Sequence, residues 1–99
     1  MSERELFVPC LIKRGGFSSE RTFEIQLPDG QKLVGLAYVA YLLDADKTPI
    51  GPNIPAPGEA IEGFVQCRVL QEIDENTVLI EVPSSDVIRF PADTLAAAG

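Results

Sequence analysis

Residues 7–12 read FVPCLI, and residues 64–69 read FVQCRV. A second echo follows in the same order, IQLPDG at 25–30 answered by IEVPSS at 80–85. The two pairs are offset by 57 and 55 positions, so a two-residue length change in the loop between them would reconcile the halves. Each half then runs strand, loop, strand, Pro-led turn, strand, and a repeat of this kind sets architecture before any single element is read. The expected repeat covers residues 6–47 and 60–95, joined by a Pro-rich loop at 48–58.

Outward from the echo, the strands are read from alternation. In Thr22–Leu27, Phe23, Ile25 and Leu27 face one way while Thr22, Glu24 and Gln26 face the other. Pro28-Asp29-Gly30 then marks a hairpin turn. Pro9 inside the first strand (Leu6–Lys13) cannot donate to a ladder, which predicts a sheet edge or a bulge there. The run LVGLAYVAYLL at 33–43 is read as a strand with one face in the core and Tyr and Leu on the other, helix being the alternative. Exposed apolar area of that sort marks an interface.

The second half opens at Ala60 with a long strand to Ile73, then the turn Asp74-Glu75-Asn76 and an alternating strand through Val78, Ile80 and Val82. Pro83-Ser84-Ser85-Asp86 turns the chain into Val87–Phe90, and Pro91–Leu95 reads as one helical or 3₁₀ turn before a frayed end. The fold class is therefore all-β: a small six- to seven-stranded barrel, SH3-like or pseudo-twofold, ending in a short helical turn. The closing strand–turn–strand and helical turn resemble SH3-like small barrels, a likeness of architecture that carries no functional motif.

Ninety-nine residues imply one domain. The N-terminal MSERELF lacks a signal-peptide pattern and no apolar run approaches a membrane span, so a cytoplasmic protein without membrane contact is expected. The net charge of −7 is placed unevenly: residues 1–32 balance five basic against five acidic groups, while the remainder holds three against ten. Such a chain repels phosphate backbones, which disfavours nucleic acid as a general partner.

The chain contains no histidine, the commonest general base and the third member of most nucleophilic triads. Cys10 and Cys67 share strand parity with β-branched neighbours, which predicts small buried core residues rather than nucleophiles or metal ligands. Asp44-Ala45-Asp46-Lys47-Thr48 begins like a calcium loop, but Pro49 and Pro55 stand where glycine and an acid are needed. No phosphate-cradling glycine motif occurs. The expectation is thus no enzyme, no cofactor and no metal.

What remains is contact chemistry. Lys13, Arg14 and Arg21 flank a glycine loop with Phe17, the one basic cluster that includes an aromatic. Tyr38 and Tyr41 lie on the apolar run, and the Pro-rich loop has P-x-x-P spacing at Pro49/Pro52 and Pro52/Pro55. The expected function is a protein-interaction or accessory module contacting a protein partner, a second copy of the chain included, through Lys13, Arg14, Phe17, Arg21, Tyr38 and Tyr41. Single-stranded nucleic acid or an anion at the basic loop is the first alternative. A small molecule in the barrel, or thiol chemistry, is the second.

Overall fold

The computed structural model describes residues 6–51 and 54–97. Eight strands form: β1 (Leu6–Arg14), β2 (Glu20–Gln26), β3 (Lys32–Tyr38), β4 (Leu42–Asp44), β5 (Ala60–Glu72), β6 (Thr77–Glu81), β7 (Val87–Pro91) and β8 (Ala96–Ala97). Single 3₁₀ turns at Val39–Tyr41 and Ala92–Thr94 precede β4 and β8. All pairings are antiparallel, in the order β3-β2-β1-β5-β6-β7, with β4 also on β5 and β8 also on β1. The result is a curled sheet, a half-barrel of the small β-barrel class. Among the described residues no helix is long and apolar enough to cross a membrane.

That order reads the same from either end: two three-stranded meanders meet along β1 and β5. The registers agree with it as far as a bulge between Val69 and Gln71 that β1 lacks. Leu11 faces Glu24 in the first half, and Arg68 faces Glu81, each 57 positions on, in the second. Glu20 faces Tyr38, and Thr77 faces Pro91, so β7 lies 53 positions after β3. The two 3₁₀ turns keep that same 53-residue separation.

Between these offsets lie two matching turns. Leu27 N–H donates to the Gln31 carbonyl and Gly30 N–H to Leu27; in the second half Val82 N–H donates to Asp86 and Ser85 N–H to Val82. Gly30 and Ser85 both take positive φ, 90° and 71°. The length difference therefore falls in the arms of the hairpin, two residues in each, and not in the loop between the first two strands, where the echo had suggested it. Even-numbered changes preserve which face a side chain occupies.

One core fills the curl. Val8, Cys10 and Ile12 from β1 meet Phe23 and Ile25 from β2, Val65 and Cys67 from β5, and Val78, Ile80 and Phe90 from β6 and β7. Ile50, in the Pro-rich loop, is also part of it, so that loop packs inward at Ile50 and Pro55 rather than lying wholly on the surface. Pro52, which completes both P-x-x-P spacings, lies outside the described residues. Pro9 sits on β1 between the end of the β8 pairing at Phe7 and the start of the β2 pairing at Leu11, on a stretch of flank without a ladder.

Two expectations are corrected. The run 33–43 is not one strand, because the 3₁₀ turn at Val39–Tyr41 splits it into β3 and β4 and lets the chain cross from one end of the sheet onto β5. The small-barrel reading holds, with the short β4 and β8 added to the six main strands among the described residues; Ala96 and Ala97, expected to fray, instead pair with Phe7 and Leu6.

Candidate functional site

The two halves of the sheet carry two clefts at corresponding places. The first, about 380 Å³, is lined along its floor by Pro9, Cys10, Leu11, Glu24, Ile25 and Gln26. The second, about 500 Å³, is lined by Gln66, Cys67, Arg68 and Glu81, 57 positions after Pro9, Cys10, Leu11 and Glu24, and by Val82 and Pro83 of the shorter hairpin. The cause lies in the ladders. β1 leaves β8 at Phe7 and meets β2 only at Leu11, while β5 leaves β4 at Val65 and meets β6 only at Arg68. A central strand that changes partners must splay from both, and a concavity opens at the change.

A cysteine marks each splay. Both thiols are free and buried, and burial alone pushes Cys10 up to about 12 and Cys67 up to about 11. A thiol held protonated is a poor nucleophile. Cys67 faces Leu6 across the ladder, four residues along β1 from Cys10, or about 13 Å at the usual rise. A disulfide needs Cα atoms within about 7 Å, so these two cannot pair. Among the described residues no cluster of His, Cys, Asp or Glu is arranged to hold a metal ion.

The remaining walls distinguish the clefts. In the first, Glu24 is ion-paired to Lys13, with Lys32 at 4.0 Å, and the Lys13 contact holds its carboxyl below the usual carboxylate range. Phe64 forms part of the wall, with the Lys47 ammonium 5.9 Å from its ring centroid. Glu24 and Phe64 are thus both supplied with cations from within the chain, Glu62 being a further acid of this lining. In the second cleft Arg68 donates to Glu81 at 2.8 Å, and the outer wall consists of Glu20, Leu36, Tyr38 and Tyr41.

The residues singled out from sequence divide accordingly. Tyr38 and Tyr41 come together on the second cleft, 62% and 41% exposed, because the 3₁₀ turn brings Tyr41 around beside the end of β3. Lys13 is half-buried and committed to Glu24. Arg14 and Phe17 are exposed at the tip of the β1–β2 connection. Arg21 is a correction: it is 1% exposed, and its guanidinium donates to the carbonyls of Ser18 and Glu20 at 2.8 Å each. It braces the glycine loop from below and presents nothing to a partner. The acidic stretch at 44–48 is a turn, Asp44 Oδ1 accepting from the Asp46 and Thr48 amides.

Sequence reading missed Glu20, Leu36, Arg68 and Glu81 as cleft residues. Glu20 could have been found, since it lies directly opposite Tyr38 in the β2/β3 register; Arg68 and Glu81 required knowing that β5 changes partners there. Compared with protein families, curated proteins and solved structures, the chain matches none, so its role has to be argued from its own geometry.

Proposed function

We propose that this protein is a non-catalytic interaction module that receives a protein partner at the cleft walled by Tyr38 and Tyr41. The observation that carries the reading is convergence: the chain's two tyrosines, far more exposed than core aromatics, border one concavity at the edge of the sheet. Tyrosine supplies large contact area at low entropic cost, and interfaces are enriched in it. The neighbouring edge supports the same reading. β3 ends the sheet, lacks proline, and exposes Val34, Leu36 and Tyr38 on one face with Lys32 as its only charge. β7, at the other end, is shorter, carries Arg89 and ends in Pro91, the usual means of blunting an edge. An unblunted edge beside an aromatic cleft suits an extended segment that adds to the sheet.

The same proposal covers origin and location. The matched registers, turns and 3₁₀ segments support an internal duplication, each half an SH3-like meander whose last short strand crosses to the other half. Two unpaired thiols suit a reducing cytoplasm.

The test is capture of partners by tagged protein at two salt concentrations, with and without nuclease. Wild type and the Arg14→Gln/Phe17→Ala variant should retain a salt-tolerant protein partner that Tyr38→Ala/Tyr41→Ala loses. Recovery of nuclease-sensitive material that depends on Arg14 and Phe17 would overturn the reading in favour of single-stranded nucleic acid.

A further inference from the structure

We infer that the tyrosine cleft takes an arginine side chain of the partner, its guanidinium stacked on the tyrosine rings and paired with Glu20. This deepens the proposed function and rests on it.

The two clefts differ in what answers their charged and aromatic walls. Their floors correspond from Pro9/Gln66 to Glu24/Glu81, but in the first the aromatic and the floor acid are answered from within: Lys47 stands over Phe64, while Lys13 and Lys32 flank Glu24, Glu62 being its remaining acid. In the second, Glu81 is answered by Arg68, and that pair is neutral as a unit. Among the described residues no cation stands over Tyr38 or Tyr41, and none is ion-paired with Glu20. Glu20 faces Tyr38 across β2 and β3 and lines the same cleft.

The unmatched features are therefore one negative charge and two aromatic faces, next to apolar surface from Leu36 and Pro83. A planar, delocalised, weakly hydrated cation on an apolar stem complements all three; a compact lysine ammonium is more strongly hydrated. The chain's charge of −7 favours approach of such a segment. An extended partner strand on β3 would carry alternate side chains past Val34, Leu36 and Tyr38, and so could deliver one to the cleft mouth.

The chain contains two tyrosines and no tryptophan, so its intrinsic emission reports on this cleft alone. The probe is the blocked tripeptide Val-Arg-Val, titrated against its citrulline counterpart, which keeps the shape and loses the charge. The arginine peptide should give a saturable change in tyrosine emission and ring-proton shifts, with the citrulline peptide weaker by about fivefold or more. Glu20→Gln, which leaves both reporters in place, should weaken the arginine peptide by about threefold or more. Asp93→Asn, an equal charge change at an exposed residue outside the cleft, should leave binding as in wild type. Circular dichroism checks that both variants fold.

Equal binding of the two peptides, or no effect of Glu20→Gln, would overturn the arginine assignment. So would absence of binding by either peptide. In each case the interaction reading stands if Tyr38→Ala/Tyr41→Ala still loses its captured partner, and falls as well if that variant captures what wild type does.

Discussion

Val8 faces Val65 at the centre of the β1/β5 ladder, 57 positions apart, the same separation that carries the pair Leu11/Glu24 onto Arg68/Glu81. An antiparallel pair of residues at that separation is what the proposed duplication requires at its centre. Both valines are fully buried. Val8→Ala and Val65→Ala should each cost about 2 kcal/mol, a fall in Tm of roughly 10 °C for a chain of this size. Val34→Ala, on the exposed face of β3, should stay within about 0.5 kcal/mol. Thermal unfolding measures all three, and a mild effect at either buried valine would count against the central ladder.

The thiols give a second expectation. Their folded pKa values, about 12 for Cys10 and about 11 for Cys67, lie above the ordinary 9.0. A raised acid favours folding while protonated, so the contribution is whole below about pH 9 and drains away as pH climbs through 11 and 12. At neutral pH an aromatic disulfide reagent should find neither thiol in native protein and both after denaturation. The Cys10→Ala/Cys67→Ala variant should lose less stability than wild type over the alkaline range.

Arg21 and Arg14 should behave as opposites although both border the glycine loop. Arg21→Met removes the charge-assisted bonds to the Ser18 and Glu20 carbonyls and should cost about 2–3 kcal/mol. Arg14→Gln, at an exposed position, should cost less than about 0.5 kcal/mol. Denaturant titration of the two variants distinguishes a brace from a surface charge.

Glu24 should titrate below the ordinary carboxylate range, chiefly through its hydrogen bond from Lys13. Because its folded pKa is depressed, its stabilising effect is present above the ordinary 4.5 and is lost as pH falls through the folded value. Carboxyl NMR should show the resonance moving up in Lys13→Met, and moving less in Lys32→Met, whose ammonium stands 4.0 Å away.

Much of this was legible in the sequence. FVPCLI and FVQCRV name the central ladder, and PDG and PSS name the two positive-φ turns. Period-2 alternation also contained the answer for Arg21, which has the parity of Phe23 and Ile25, although a guanidinium just after a glycine- and serine-rich loop reads as surface. The break at Val39–Tyr41 was not legible, since VAY suits a strand as well as a 3₁₀ turn, and only the crossing of β4 to β5 decides it. Of the site, the tyrosines were visible as exposed aromatics. Their shared cleft was not, because it arises where β5 changes partners, a relationship between strands distant in sequence.

The hairpin between β2 and β3 is longer than its counterpart by two residue pairs, and this makes the sheet a counter of even numbers. Shortening both arms by two residues each should move the Pro28-Asp29-Gly30 turn inward by two pairs and leave Phe23 in the core. Removing a single residue from β2 beyond Phe23 would oblige every later side chain of that arm to change sides, or the turn to absorb the slip. Insertions and deletions in this chain should therefore be tolerated by parity more than by length, and a series of one- and two-residue deletions in the arms, scored by yield of folded protein, would read that rule directly.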